Sequence, residues 1–98
     1  MIMKPSELLE KNRSRIRDIV QANRARNPRI FGSVSRGEDT DSSDLDILVD
    51  PIDGTTLFDI GAIQAELADL LGVRVDVHTP KSLPESWRNS VVSSALAI

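Results

Sequence analysis

The chain has 98 residues, of which 40% are hydrophobic and 28% are charged, with a formal net charge of −3; these values favour one soluble domain with a single core over residues 1–98. The absence of cysteine excludes disulfides and thiolate metal sites and is compatible with a reducing compartment, so a cytoplasmic protein is expected. No apolar run approaches the roughly 20 residues of a membrane helix and no secretory leader pattern is present, so neither membrane insertion nor secretion is expected.

The charge is unevenly distributed along the chain. Residues 1–29 carry a net charge of +5 and the remainder carries −8. A solvated helix face explains the basic segment most simply, and a surface for a protein partner is the alternative. The chain has no tyrosine and only three aromatic residues, Phe31, Phe58 and Trp87. Direct nucleic-acid binding is therefore not expected, because single-strand binding usually requires base-stacking aromatics.

The N-terminal part of the chain predicts one long helix. It begins at Pro5 and Ser6, residues typical of a helix start, and is expected to continue to about Arg26. Its apolar residues recur at helical spacing between charged positions: Leu9, Ile16, Ile19 and Val20, with Leu8 beside them. Asn27-Pro28 is expected to end the helix, because the residue before a proline disfavours helical backbone.

The next part of the chain predicts two strands. Residues 29–31 are expected to form a short strand that stops at Gly32, followed by at most two turns of helix over residues 33–37. Residues 38–43 predict a polar loop. Residues 44–49 alternate between polar and apolar side chains, which predicts a strand with one face in the core. Leu48 departs from the polar face and is expected to lie beneath a covering helix.

The second half of the chain predicts a helix, a strand and a further helix. Thr55 or Thr56 can cap a helix that ends at Gly72. Its apolar stripe is Leu57, Ile60, Ile63, Leu67, Leu70 and Leu71. Residues 73–78 alternate as a third strand with the valines inward. A last helix is expected over residues 85–95, with three packing residues: Trp87, Val91 and Val92.

Two carboxylates of the second strand, Asp44 and Asp46, carry the main chemical signal. Residues i and i+2 of a strand project from one face, so their oxygens are adjacent. Close carboxylates repel unless a divalent cation keeps both ionised, and magnesium prefers oxygen ligands. A two-metal site usually has a third carboxylate, and Asp76 on the next strand is the candidate. The alternative for Asp76 is an exposed strand aspartate.

Gly32 and Ser33 lie where a strand is predicted to turn into a helix. Glycine lets the backbone approach a phosphate closely, and a helix N-terminus and the serine hydroxyl add donors. Arg36, three residues later, could reach an outer phosphate. Alone, Gly-Ser indicates no more than a turn with a helix cap. Together with Asp44-x-Asp46 downstream it predicts a nucleotide site.

These residues form a recognisable pattern: Gly32-Ser33, ten residues, Asp44-Leu45-Asp46, and an apolar-flanked Asp76. The pattern resembles the nucleotidyltransferase superfamily that includes DNA polymerase beta, and in size and spacing it is most similar to the minimal nucleotidyltransferases, the MNT antitoxins. The resemblance covers roughly residues 30–77. It implies an α/β (α+β) fold with a small mixed β-sheet and helices packed on it. The implied activity is magnesium-dependent transfer of a nucleoside monophosphate, AMP from ATP, to a hydroxyl group.

The resemblance also implies roles for residues and a partner. Asp44 and Asp46 would bind two Mg²⁺ ions, and Asp76 would complete one metal site and help to activate the acceptor hydroxyl. Gly32 and Ser33 would bind the triphosphate. Family members of this size are typically paired with a small helical HEPN-domain RNase toxin, whose tyrosine they adenylylate. Since this chain has no tyrosine, a tyrosine acceptor would have to lie on the partner.

Other interpretations stay open. The chain could be a catalytically silent antitoxin that neutralises its partner by occlusion, through its basic first helix or the Trp87 region. Transfer to a small molecule such as an antibiotic hydroxyl is a third interpretation, disfavoured because few residues remain for an acceptor pocket. His78 is expected to be a surface histidine at a strand end rather than a catalytic base. Trp87 is expected to serve packing or an interface rather than base stacking.

Overall fold

A single four-stranded sheet organises the computed structural model, which describes residues 3–98. The elements in chain order are α1 (Pro5–Lys11), α2 (Arg13–Ala22), β1 (Ala25–Phe31), β2 (Leu45–Pro51), α3 (Leu57–Leu71), β3 (Val75–His78), a 3₁₀ helix (Pro80–Ser82), α4 (Glu85–Ser94) and β4 (Leu96–Ala97). The strand order is β3-β2-β1-β4. β1 is antiparallel to β2 and β4, and β2 is parallel to β3. The predicted small mixed sheet with helices packed on it is confirmed.

The core lies on one face of the sheet. The buried side chains on this side are Leu9, Ile16, Val20, Ile30, Leu45, Ile47, Val49, Ile63, Leu67, Leu71, Val75 and Val77. The alternating residues of β2 and β3 therefore point inward as predicted. Cross-strand neighbours share a face, so the second face carries Phe31, Asp46 and Asp76, which occupy one row across β1, β2 and β3. Leu48 lies on this second face and is fully buried, in agreement with the expectation that something covers it.

The single long helix predicted at the N-terminus is wrong, because two asparagines interrupt it. α1 ends at Asn12, whose side-chain Nδ2 donates to the carbonyl of Leu8 at 2.8 Å. α2 ends before Asn23, whose Nδ2 donates to the carbonyl of Ile19 at 2.9 Å. Asparagine side chains compete with the backbone for such carbonyls, which favours helix ends over helix interiors.

β1 begins at Ala25, four residues earlier than predicted. Asn27 adopts a left-handed backbone with φ of +55°, a conformation that asparagine tolerates better than most residues. The pairing of β1 with β2 shifts register between Arg26 and Arg29. Such an irregularity lets a strand include Pro28, which has no N–H to give to the ladder.

The predicted helix between Thr56 and Gly72 is confirmed. The Thr56 hydroxyl accepts from the N–H of Asp59 at 3.3 Å, and the Asp59 carboxylate accepts from the N–H of Thr56 at 2.9 Å. Gly72 ends the helix in the left-handed conformation with φ of +69°. However, Leu57 and Phe58 in the first turn are 88% and 90% exposed. The prediction that Leu57 belongs to the packed stripe is wrong, because the part of α3 that packs against the core begins at Ile60.

α4 forms close to where it was predicted, but none of its residues is buried. Trp87 is 46% exposed and Val92 is 40% exposed, so neither is the packing residue that was predicted; an interface role for Trp87 stays a prediction. The chain then forms β4, an edge strand that was not predicted. Ile98, which follows β4, is buried, and its N–H donates to the carbonyl of Pro28 at 3.0 Å.

A buried carboxylate ties the polar loop to the first helix. Asp39 is 6% exposed, and its Oδ2 accepts from the N–H of Ser6 at 2.9 Å. Burial alone would raise the pKa of Asp39, but hydrogen bonds from Ser6 and from its own backbone, together with the charge of Lys4, lower it. The loop between the end of β1 and the start of β2 is therefore attached to the N-terminus of α1.

Within residues 3–98, no helix has the length and apolar character needed to cross a membrane.

Candidate active site

The segment after β1 is a series of hydrogen-bonded turns. Gly32 follows Phe31, the last residue of β1, and has φ of +78°. The N–H of Arg36 donates to the carbonyl of Ser33, and the N–H of Gly37 donates to that of Val34, both at 3.2 Å. The predicted short helix is therefore wrong, since residues 32–37 do not continue into regular helical backbone. Any phosphate donors here are turn N–H groups and the Ser33 hydroxyl, without a helix behind them.

Gly32 packs directly against Asp46. A Cβ atom built on Gly32 would lie 2.6 Å from Asp46 Oδ2, closer than real Cβ contacts. The strand register explains this contact, because Phe31, the residue before Gly32, is paired with Asp46. The positive φ also favours glycine at this position. The turn predicted to bind phosphate therefore lies beside Asp46, one of the carboxylates predicted to bind metal.

Asp46 and Asp76 are direct neighbours across the parallel pair β2 and β3. The pKa of the Asp46 carboxyl is raised, first by burial and then by the negative charge of Asp76, with Asp44 acting in the same direction and His78 in the opposite one. The side chains of Asp44 and Asp76 are 46% and 33% exposed. The predicted repulsion between neighbouring carboxylates is therefore present in this structure.

Arg74 lies between the two outer carboxylates. Its Nε is 3.8 Å from Asp44 Oδ2 and 3.8 Å from Asp76 Oδ1, and its side chain is 73% exposed. A single guanidinium thus partly neutralises both. The sequence analysis missed Arg74, although its position two residues before Asp76 indicates a side chain on the same side of the chain.

The three carboxylates supply the kind of donor atoms that a divalent cation binds, but their present spacing does not suit a metal site. As the side chains stand in residues 3–98, no group of three or more His, Cys, Asp or Glu residues is arranged to hold a metal ion. The donors are all oxygens, which Mg²⁺ prefers. The pKa of Asp46 is raised by burial first and then by the negative charge of Asp76, and the guanidinium of Arg74 shows that a positive charge fits between Asp44 and Asp76. Asp44, Asp46 and Asp76 therefore stay a predicted metal site.

Two other candidate residues have partners of their own. Arg36, predicted to reach a phosphate, forms an ion pair with Glu38 at 3.1 Å on the surface. His78, expected at the surface, is half-buried, and its ring packs edge-to-face on Phe31 with centroids 5.5 Å apart. His78 therefore contributes to packing beside the carboxylates.

A cavity of about 420 Å³ separates the turn after β1 from α4. Its lining combines the turn with one face of the helix: Phe31, Gly32, Ser35, Arg36, Trp87, Ser90, Val91 and Ser94. Gly32 and Arg36, two of the predicted nucleotide-binding residues, are among them. The sequence analysis did not find this cavity, because it depends on how far α4 lies from the sheet.

Comparison with protein families and curated proteins adds to this geometry. The family described as nucleotidyltransferase domain matches residues 9–98. The protein adenylyltransferase MntA of Thermococcus cleftensis is 35% identical over 69 residues, which cover 70% of each chain. A Methanocaldococcus jannaschii protein provisionally named as a protein adenylyltransferase is 36% identical over 69 residues, covering 70% of this chain and 74% of its own.

Solved structures share the fold. A protein provisionally described as a minimal nucleotidyltransferase superposes with a TM-score of 0.85 at 36% identity, over 95% of both chains. A toxin–antitoxin structure containing AMP-PNP superposes with a TM-score of 0.74 at 25% identity, over 88% of this chain and 71% of that chain. The overall fold of this chain is thus shared with these proteins.

Proposed function

This chain belongs to the nucleotidyltransferase domain family, and on that premise we propose that it transfers AMP from ATP to a hydroxyl group of a partner protein, as the antitoxin of a toxin–antitoxin pair. The observation that carries the proposal is the contact between Gly32 and Asp46, with Asp76 directly beside Asp46. It joins a turn suited to phosphate with a cluster of carboxylates. Relatives named as protein adenylyltransferases support the transferred group.

The turn after β1 is proposed to bind the triphosphate. Gly32 has no side chain to block the approach of phosphate oxygens, and the Ser33 hydroxyl can donate to them. Arg36 is 59% exposed in its side chain and pairs with Glu38, so exchanging this partner for a phosphate costs little. The three residues predicted to bind nucleotide therefore keep that role in the proposal.

Asp44, Asp46 and Asp76 are proposed to hold two Mg²⁺ ions together with the triphosphate. When bound, such ions neutralise charge on the triphosphate and the departing pyrophosphate and orient the reactants. Asp46 is fixed in place by the sheet and by Gly32. Asp44 and Asp76, whose side chains are 46% and 33% exposed, can exchange Arg74 for another cation.

In the proposed reaction, the acceptor hydroxyl oxygen attacks the α-phosphorus of ATP in line with the leaving group. A bond forms between the acceptor oxygen and phosphorus, and the bond between phosphorus and the pyrophosphate oxygen breaks. Asp76 takes the hydroxyl proton, because it lies beside Asp46 on the next strand and one third of its side chain is exposed to an incoming acceptor. The products are the AMP-modified partner and pyrophosphate.

The acceptor is proposed to be a tyrosine of a small helical HEPN-domain RNase toxin. This chain has no tyrosine, so a tyrosine acceptor has to come from outside it. Toxin–antitoxin structures with the same fold support a protein partner.

A second candidate function is neutralisation by occlusion alone. It is favoured by Leu57 and Phe58, which expose nearly their whole side chains next to each other. Exposed apolar side chains in contiguous patches mark interaction surfaces. In this case the carboxylate cluster would not be needed to silence the partner.

Intact mass of the partner separates the two candidates. The partner is incubated with this chain, ATP and Mg²⁺, and gains one AMP if the proposed transfer occurs. Asp44→Asn and Asp46→Asn are expected to abolish the gain, because each removes a negative charge from the proposed metal site. Asp53→Asn, at an exposed loop position, is the matched control and is expected to leave the gain unchanged. Neutralisation that persists without ATP, and in both site variants, would instead support occlusion.

A further inference from the structure

We propose that the cavity between the turn after β1 and α4 binds the nucleoside part of the nucleotide, with the base packed against Trp87. This inference rests on the proposed nucleotide transfer and adds a binding site for the base and sugar. The cavity is bounded by residues 31–36 on one side and by α4 on the other.

α4 has an apolar face that the core does not use. None of its ten residues is buried, yet Trp87 and Val91, one turn apart, both line the cavity. Arg88 holds the start of the helix through a hydrogen bond from Nη2 to the carbonyl of Leu83 at 3.1 Å. β4 holds the segment after it by pairing with β1. The helix is thus attached at both ends while its apolar face borders open space.

The cavity is continuous with the proposed phosphate site. Gly32 and Arg36 belong to the turn that would bind the triphosphate, and both also line the cavity. A nucleotide with its phosphates on this turn can therefore place its sugar and base in the cavity without crossing another element. This continuity is the reason to assign the cavity to a nucleoside rather than to an unrelated ligand.

The lining has the chemistry of a small-molecule site. Such sites have volumes of about 300–1,000 Å³ and combine apolar walls with a few polar groups, and this cavity of about 420 Å³ falls in that range. Phe31, Trp87 and Val91 supply apolar surface. Ser35 Oγ donates to the carbonyl of Gly32 at 2.8 Å, which leaves its oxygen free to accept from a base amine or a sugar hydroxyl.

A protein partner is the competing occupant of the same face. Interfaces between proteins typically bury about 800 Å² on each side over a broad surface, whereas this feature is a concave space beside the phosphate turn. A flat aromatic ring such as Trp87 can stack on any base, because every base has a π-face. The geometry therefore favours a nucleobase.

Trp87 gives a direct optical test, because it is the only tryptophan in a chain without tyrosine. Titration with AMP-PNP and Mg²⁺, without an acceptor, is expected to change the tryptophan emission in a saturable way. Inorganic triphosphate with Mg²⁺ lacks a nucleoside, so it is expected to leave the emission unchanged on its own. It is also expected to reverse the AMP-PNP signal by competing for the turn.

Variants measured by calorimetry test the same contact without the optical signal. Trp87→Ala is expected to weaken AMP-PNP binding about tenfold, within the range that base stacking supplies, and to leave triphosphate binding unchanged. Trp87→Phe keeps an aromatic ring and is expected to restore most of the affinity. Val92→Ala lies on the same helix outside the cavity lining and is the control. Circular dichroism checks that each variant is folded.

Three results would overturn the inference. If AMP-PNP binds to the wild type and to Trp87→Ala equally and the emission does not change, the nucleoside lies elsewhere, while the proposed nucleotide transfer stands. If the emission responds to the partner protein and not to AMP-PNP, Trp87 belongs to an interface. If calorimetry detects no nucleotide binding to the wild type, alone or with the partner, both the inference and the proposed transfer are wrong.

Discussion

Gly32 and Asp46 are packed so closely that a Cβ on the glycine would lie 2.6 Å from the Oδ2 of the aspartate. The two residues are fourteen positions apart in sequence, and the pairing of β1 with β2 brings them together. The contact links the turn proposed for the triphosphate to a carboxylate proposed for metal. A change at either residue is therefore expected to affect the other.

Gly32→Ala is expected to reduce nucleotide transfer about a hundredfold, the order of loss that a small misplacement of a catalytic group causes. The new methyl group would displace the Asp46 carboxylate, and alanine would be strained at φ of +78°. Initial rates of AMP transfer measure the effect. Gly54→Ala is the matched control, because Gly54 has φ of +87° but nothing within 4 Å of its added Cβ. It should lose comparable stability and keep its activity; equal rates for both variants would contradict the prediction.

Asp46→Asn is expected to stabilise the protein at pH 7 in the presence of a chelator. The pKa of Asp46 is raised by burial and then by Asp76, so the folded state binds a proton more tightly than the unfolded state does. Stability is therefore lost as pH rises from the ordinary value of 3.8 through the raised folded value. Thermal unfolding should show a higher Tm for the variant at pH 7, and the difference should disappear below about pH 3.8. A lower Tm at pH 7 would contradict this account.

Asp50→Asn is expected to have the opposite pH dependence. Arg29 Nη1 and Nη2 donate to the two oxygens of Asp50 at 3.1 and 3.0 Å, and this pairing, with Asn27, lowers the pKa of Asp50. The stabilisation by this ion pair is present above 3.8, the ordinary pKa of Asp50, and is lost as pH falls through the lowered pKa of Asp50 in the folded state. The variant should lose about 1–2 kcal/mol of unfolding free energy at pH 7. Urea unfolding at pH 7 and pH 3 measures it, and a loss of equal size at both would refute the ion pair as its cause.

Arg74→Gln is expected to strengthen the binding of Mn²⁺ several-fold in the absence of nucleotide. The guanidinium lies 3.8 Å from both Asp44 and Asp76, so it competes with any other cation for these carboxylates. Because Arg74 is 73% exposed, unfolding free energy should change by less than about 0.5 kcal/mol. Calorimetry with Mn²⁺ alone measures the affinity. Arg15→Gln removes the same charge from an exposed position on α2 and should have no such effect. Unchanged Mn²⁺ affinity in Arg74→Gln would show that the guanidinium does not compete.

Local sequence signals predicted the elements whose boundaries are set by capping residues. α3 lies between Thr56 and Gly72 because both ends are made by residues within one turn of the boundary. β4 could not be predicted, since Leu96 and Ala97 form a strand only by pairing with β1, more than sixty residues away. The exposure of Leu57 was missed for a related reason. An apolar stripe indicates which side of a helix can be buried, but not how far the rest of the protein extends to cover it.

The arrangement of the site was predictable to the level of strand geometry. Spacing of two residues and adjacent strands place Asp46 beside Asp76, and this is observed. The position of Arg74 between Asp44 and Asp76 depends on a flexible side chain, for which sequence patterns carry little information. The turn at Gly32 was predicted, but the absence of a helix after it was not. Gly37, five residues later, adopts φ of +68°, which interrupts helical backbone. That conformation could not be predicted from the sequence.

The hydrogen bond from the N–H of Ser6 to the buried Asp39 makes the first helix a mechanical anchor for the segment that leads into the carboxylate strand. Thermodynamic linkage requires that a ligand that stabilises α1 also stabilises that segment, and that a ligand that stabilises the segment also stabilises α1. A ligand of the basic N-terminal segment is therefore expected to influence the carboxylates proposed to bind metal, and a ligand of those carboxylates to influence the N-terminal segment.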